Sequence, residues 1–361
     1  MKKLLIIHKV QFGYHTDIYK WCQYLNDKYE IELVCIDSGL RRFCMDNVHV
    51  HYVSRWGGRK IRGFRYILNC VFHISRFEGV IIVSYFYGCH LIKKMLPWKK
   101  MVLDIRTFDV SYEENVRNKL NSVLMHTVRK YDFATVISEG LRKQLPKDSS
   151  LTAILPLGSD IINTPPKECG EIDLLYVGIF DNRNLEKTIQ GFKIALGKVN
   201  KKIHYHIIGR GFHDEEKSLK QMVDELGLCD HITFYGYISR DKLLDFYKKC
   251  NVGVSFVPIT PYYDYQPVTK TFEYVMAGLF TIATATKSNV EVITPENGIL
   301  INDTPEDFAN AIVEISKMSV LDGDKIRNTF IQFQWRSIIN NKMIPILNTV
   351  EQLFGYNQPI L

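Results

Sequence analysis

The sequence predicts an α/β protein made of two doubly wound, parallel-sheet units in tandem. Short runs rich in β-branched residues alternate with helix-period segments along nearly the whole chain. The 361 residues exceed what one ordinary core holds and suggest two domains. One sizeable Pro/Gly-rich stretch, PLGSDIINTPPKECGE (156–171), interrupts the alternation and marks a linker.

In the first half the strand-like runs are KLLIIH (3–8), EIELVCI (30–36), VHVHYV (48–53), GVIIVS (79–84), KMVLDI (100–105), FATVIS (133–138) and LTAILP (151–156). Helices fit 15–28, 60–76, 113–130 and 139–145 between them. Such alternation implies βαβ units and a sheet covered on both faces. After the linker come DLLYVG (173–178), IHYHIIG (203–209), HITFYG (231–236), VGVSFV (252–257), LFTIAT (279–284) and NGILI (297–301). The helices expected there are 184–199, 214–227, 239–249, 267–278 and 305–317. Ligands of open α/β sheets bind beyond the carboxyl ends of the strands, so chemistry is sought there.

Composition narrows the class. Hydrophobic residues at 46% with 24% charged describe a folded chain. Eight cysteines (22, 35, 44, 70, 89, 169, 229 and 250) show no C-x-x-C spacing and read as reduced thiols of a cytoplasmic protein. In MKKLLIIHKV, His8 and Lys9 interrupt the apolar run, which fits a first strand and not a signal peptide. The charge-free stretch GVIIVSYFYGCHLI (79–92) is too short to span a bilayer as a helix.

The net charge of +7 is uneven. Residues 1–160 hold 25 Lys and Arg against 15 Asp and Glu, a balance of +10; the rest holds 21 against 24, or −3. Much of the excess lies in SRWGGRKIRGFRYILNCVFHISRF (54–77), where Arg55, Arg59, Lys60, Arg62 and Arg65 interleave with Trp56, Phe64 and Tyr66. Cations for headgroups and aromatic groups for the interface suit an anionic membrane surface. A nucleic acid is the rival partner, and a solvated basic helix face is the plain alternative. No nucleic-acid partner is expected.

At the strand ends of the second half, Arg183 and Lys187 flank a helix start, an arrangement that suits a diphosphate. Gly209, Arg210 and Gly211 follow one strand; Gly236 and Tyr237 follow the next. Glycines there admit a flat ligand, though strand-end glycines are also routine turn formers. GRGFHD lacks the third glycine of a dinucleotide fingerprint, so no nicotinamide cofactor is expected. No His/Asp cluster has convincing ligand spacing, so no metal is assigned. In QPVTKTFEYVMAGLFTIAT (266–284), Phe272, Val275, Met276 and Leu279 form an apolar stripe, with Lys270, Glu273, Tyr274 and Ala277 opposite. Lys270 and Glu273 are either an i, i+3 ion pair on a solvated face or part of a binding site.

The order YVGIFDNRN, IIGRGF, FYGYIS, VGVSFVP, KTFEYVMAGLFTIAT and NGILIND resembles the nucleotide-binding half of family 4 glycosyltransferases with the GT-B fold. K-x-x-E-Y followed by AG and a β run is its most specific piece. The resemblance is looser over the first half, where DIRTFDV (104–110) lies where relatives line the cleft, and FIQFQWRSI (330–338) precedes a last helix. It implies two Rossmann-like domains facing a central cleft: an acceptor domain over 1–160, a linker over 161–171, a nucleotide-sugar domain over 172–334, and a helix over 335–361 crossing back.

That resemblance implies a retaining hexosyltransferase-type enzyme, without a cofactor, acting in bacterial surface polysaccharide biosynthesis. It would use a nucleotide-diphosphate sugar donor and a lipid-linked or glycan acceptor, at the inner face of the cell membrane. Arg183, Lys270 and Arg106 are the catalytic candidates. Gly13, Gly178, Lys187, Gly209, Arg210, Gly236, Tyr237, Tyr265, Gln266, Val268, Thr269 and Glu273 are the donor-binding ones. Glu273 would hold the ribose hydroxyls, and the helix N–H groups and Lys270 the diphosphate. Two departures stand out. Tyr265 replaces the first glutamate of the family's pair, and Ile179 replaces the arginine usual after Gly178, whose phosphate role passes to Arg183. A nucleotide-sugar 2-epimerase and a catalytically silent nucleotide-sugar-binding subunit are the alternative readings.

Overall fold

The computed structural model describes residues 1–356 apart from 149–150, 166, 169 and 213. Its contacts separate two compact units, Met1–Leu157 with Trp335–Leu361, and Gly158–Gln334.

The first unit holds β1 (Lys2–Ile7), α1 (Thr16–Leu25), β2 (Tyr29–Ile36), β3 (Val48–Val53), α2 (Arg59–Arg76), β4 (Val80–Ser84) and α3 (His90–Met95). It continues with β5 (Val102–Ile105), α4 (Glu114–Val128), β6 (Phe133–Val136), α5 (Glu139–Gln144) and β7 (Leu151–Ile154). The seven strands form one parallel sheet in the order β3-β2-β1-β4-β5-β6-β7. Ile6 sits opposite Leu33 on one side and Ile82 on the other. Leu4 to Ile7 are all fully buried, as expected where helices cover both faces. Trp21 of α1 joins Ile6, Leu33 and Ile82 in the core. The closing segment joins it too, through Trp335, Met343 and Leu347.

The second unit begins with the short β8 (Lys167–Glu168), then β9 (Ile172–Ile179), α6 (Leu185–Leu196), β10 (Ile203–Arg210), α7 (Glu215–Glu225), β11 (Ile232–Phe234) and α8 (Arg240–Lys249). There follow β12 (Val252–Ser255), α9 (Thr269–Met276), β13 (Phe280–Thr284), α10 (Lys287–Val290), β14 (Gly298–Ile301), α11 (Pro305–Ser316), β15 (Val320–Leu321) and α12 (Gly323–Asn328). Six strands form a parallel sheet, β11-β10-β9-β12-β13-β14, while β8 and β15 pair antiparallel. At α11, the Thr304 hydroxyl caps the Asp307 N–H and Pro305 opens the first turn.

Several boundaries differ from the sequence expectation for local reasons. β11 stops at Phe234 instead of 236, and Gly236 soon turns the chain at φ +65°. α9 starts at Thr269, since Pro267 precedes an extended Val268, and ends before Gly278 at φ +71°. The short helices α3, α10 and α12 carry too few turns to show a period. The last helix is not uniform. α13 (Trp335–Ile338) passes through a π turn at Ile339–Met343 into α14 (Ile344–Phe354), where Pro345 has no N–H to bond back. The seven described cysteines are free; Cys169 lies outside the described residues. Among the described residues no helix is long and apolar enough to cross a membrane.

Candidate active site

The second unit gathers its candidate residues at the carboxyl edge of its sheet. Gly178 and Gly209 are register partners on β9 and β10. Gly209 adopts φ +146°, and a Cβ there would lie 1.7 Å from the Gly178 carbonyl oxygen, so only glycine fits. The Gly209 N–H donates to Gly236 O at 2.9 Å, tying in the β11 turn. Beyond β9 the chain turns through Asn182 and Asn184, both left-handed at φ 56° and 53°. Asparagine tolerates this conformation better than other side-chain-bearing residues.

This turn places the Arg183 guanidinium 4.8 Å from the centre of the Tyr263 ring, in the segment leading to α9. Arg183 Nη1 is buried and has no hydrogen-bond partner. The Asp181 carboxylate accepts from the Phe212 N–H at 3.0 Å, joining the loops after β9 and β10. Arg210 lies 5.5 Å from the Phe212 ring and 5.7 Å from the Tyr237 ring, both largely exposed. A cation beside two open aromatic faces suits a flat, anionic ligand.

On α9, Val268 is an extended N-cap and no side chain caps the helix; the Thr271 N–H donates to the Val268 carbonyl at 3.0 Å, which leaves the Thr269 and Lys270 N–H groups at the helix start for other partners. Lys270 and Glu273 make the i, i+3 ion pair. Glu273 Oε2 also accepts from the Tyr247 hydroxyl at 2.8 Å. The polar face expected from the sequence is narrower than four residues. Tyr274 and Ala277 are fully buried, and the Tyr274 hydroxyl accepts from Val177 N–H at 2.8 Å, fixing α9 to β9. Helical phase alone missed this because α9 is covered both by the sheet and by α12 with Phe330 and Phe333.

Other expected residues are engaged elsewhere in the unit. Lys187 donates to the Asp303 carbonyl at 2.8 Å, before α11, and not toward the Arg183 turn. The Tyr265 hydroxyl accepts from Lys287 Nζ at 2.7 Å, and Gln266 Nε2 donates to Tyr262 O at 2.5 Å. Asp264 takes Lys287 Nζ at 2.9 Å. The Tyr265 bond and then Asp264 raise the Lys287 pKa to about 12.

In the first unit, Gly13 turns the loop after β1 at φ +94°, with Phe43 where a Cβ would stand. Arg106 is almost buried. Its donors reach Asp17 at 2.6 Å and the Leu155 carbonyl at 2.7 Å, and Asp104 lies 3.6 Å away. Sequence reasoning passed over His8 and His15, whose rings meet 4.5 Å apart beside this loop. Both His8 ring nitrogens and His15 Nδ1 are buried without partners. Burial, then His15, push the His8 pKa down to about 3, so it is a neutral imidazole. The only signal was the histidine breaking the apolar run of β1. The sequence also shows no metal-ligand spacing, yet the fold brings Glu32, His51 and His73 together from three elements.

The topology can now be set beside known proteins. Residues 171–318 match the family model of group 1 glycosyl transferases. Sucrose-phosphate synthase from Thermosynechococcus elongatus shares 18% identity at a TM-score of 0.76, over 98% of this chain and 100% of that one. Anabaena HepE, solved with UDP and glucose, shares 12% at 0.74, over 97% and 100%. The lipopolysaccharide outer core galactosyltransferase WaaB, in its apo form, shares 16% at 0.66, over 96% and 100%. Two parallel α/β sheets, matched over nearly the whole chain by these structures, give the protein the GT-B fold. More particularly, residues 171–318 are a group 1 glycosyl transferase domain. No curated protein matches the chain.

Proposed function

We propose that this protein is a family 4-type enzyme that moves a sugar, with retained anomeric configuration, from a nucleoside-diphosphate sugar to a membrane-associated, lipid-linked oligosaccharide. The process served would be bacterial surface polysaccharide synthesis. The observation that carries this reading is Arg183, held beside Tyr263 at the carboxyl edge of the matched domain with a buried, unpartnered Nη1. HepE in complex with UDP and glucose supports a uridine-type donor, and WaaB supports a surface-glycan role.

In this mechanism the bond between the sugar's anomeric carbon and the diphosphate oxygen breaks, and the acceptor hydroxyl oxygen bonds to that carbon. The diphosphate leaves with the electron pair, and the acceptor proton passes to it. Arg183, the Lys270 side chain and the Thr269 and Lys270 N–H groups of α9 stabilise the charge that develops there. Glu273, oriented by Tyr247, accepts hydrogen bonds from the ribose, while Arg210 and Tyr237 flank the base. Arg106 is left out of the reacting set because its donors are spent on Asp17 and on backbone carbonyls.

The membrane part of the reading rests on α2. Ile61, Phe64, Leu68 and Phe72 are exposed at helical spacing, Trp56 is 73% exposed, and Arg59 and Lys60 stand exposed beside them. This combination suits an interface rich in anionic lipid.

The test is turnover of a panel of nucleotide sugars with and without a lipid-extract acceptor. Acceptor-dependent release of nucleoside diphosphate is the expected result. Release of a free sugar epimer without acceptor would establish the epimerase reading instead. Donor binding without any turnover would establish the silent subunit.

A further inference from the structure

Glu32 lies on β2, His51 on β3 and His73 near the end of α2, which packs against both strands. His51 Nε2 is 3.2 Å from Glu32 Oε2, and His73 Nδ1 is 3.9 Å from the same oxygen. The two imidazole centroids are 4.1 Å apart, and one ligand atom from each residue lies within 4.8 Å of the others. This is the one such group found among the described residues.

Ligands about 2.0–2.1 Å from a tetrahedral zinc ion stand roughly 3.3–3.5 Å from one another. The two separations from Glu32 Oε2, 3.2 and 3.9 Å, bracket that spacing. Hydrogen bonding alone does not explain the convergence. Only His51 is within bonding distance of the carboxylate, while His73 aims at the same oxygen from too far. Glu32 and His51 are about one-third exposed, which gives an ion a way in. Arg76, whose charge opposes a cation here, is stacked on Phe72 at 4.0 Å.

We propose that Glu32, His51 and His73 bind one divalent transition-metal ion of the zinc class, with water completing its coordination. Two imidazoles and one carboxylate suit zinc and its neighbours, whereas magnesium and calcium require oxygen sets. The ion cross-links α2 to β2 and β3 and so fastens the helix that carries the basic, apolar outer stripe. None of the three residues belongs to the proposed donor site.

The full-length protein, stripped with EDTA and dialysed, is titrated with zinc chloride by calorimetry and its melting temperature is followed. One saturable site and a rise in melting temperature are expected, with no competition from millimolar magnesium. Cobalt loading should give the visible absorption of a low-coordinate cobalt–imidazole centre. Glu32→Gln, which keeps the side-chain shape, should weaken zinc binding at least tenfold; His51→Gln/His73→Gln should abolish it. His231→Gln, in the second unit, should bind like wild type. If the wild-type protein shows no saturable binding, or the double variant binds equally well, the proposal falls. Should the double variant fail to fold, unchanged binding by folded Glu32→Gln overturns it.

Discussion

The Arg183 guanidinium rests 4.8 Å from the centre of the Tyr263 ring with its Nη1 buried and unpartnered. A cation stacked in this way is preorganised: its side-chain entropy is already lost before a ligand arrives. Arg183→Ala should therefore weaken donor binding by roughly ten- to a hundredfold, the worth of one charge-assisted bond of about 1.5–3 kcal/mol. Arg183→Lys should recover only part, since an ammonium lacks the planar fork. Calorimetry with the nucleoside diphosphate checks this, and wild-type affinity in Arg183→Ala would remove Arg183 from the site.

Glu273 meets both Lys270 and the Tyr247 hydroxyl. If it holds the ribose, Glu273→Gln should reduce donor affinity or turnover by roughly tenfold to a hundredfold. Lys270→Met should lower turnover through the diphosphate. An ion pair with no further role predicts something else: unchanged kinetics in both variants and a shared loss of stability. Donor affinity and melting temperature measured on both single variants and on the double variant separate the cases.

The exposed face of α2 should bind vesicles containing anionic lipid, and binding should weaken as salt rises. Replacing Arg59, Lys60, Arg62 and Arg65 with serine should weaken it further in a co-sedimentation assay. Equal sedimentation of the variant would place the membrane contact elsewhere.

Asp104 is fully buried at the end of β5, accepts from the Thr135 hydroxyl at 2.8 Å, and has an unpartnered Oδ2. Burial pushes its pKa from 3.8 to about 6 against the pull of Arg106. The folded state then keeps a proton that the unfolded chain releases. Its stabilising contribution is complete below pH 3.8 and is lost as pH rises through about 6. The change is on the order of 3 kcal/mol at about 1.36 kcal/mol per unit. Relative to Asp104→Asn, the wild type should lose stability between pH 4 and 6 in denaturant titrations. Parallel profiles for the two proteins would refute the assignment.

Strand runs such as KLLIIH and VIIVS were legible because both faces of the sheet are buried, which writes the strand as an unbroken apolar word. The start of α6 was legible from Arg183 and Lys187 after DLLYVG, but the left-handed turn at Asn182 and Asn184 and the engagement of Lys187 with Asp303 were not. Helix α9 was only half legible. Its phase separated Lys270 and Glu273 from the apolar stripe, but not the buried Tyr274, whose hydroxyl is satisfied by Val177. The partners of Arg106 were not legible, since a charge near a strand end reads the same whether it meets a ligand or Asp17. Glu32, His51 and His73 were invisible because register and helix packing, not spacing, bring them together.

The core containing Ile6, Leu33 and Ile82 also contains Trp335, Met343 and Leu347. On the ribosome these partners are separated by the whole of the second unit, Gly158–Gln334. The segment made first must therefore wait, with apolar surface still uncovered, while a complete second sheet emerges and folds. The first unit's core is therefore completed only after the second unit has been synthesised, and apolar surface exposed in the interval favours aggregation.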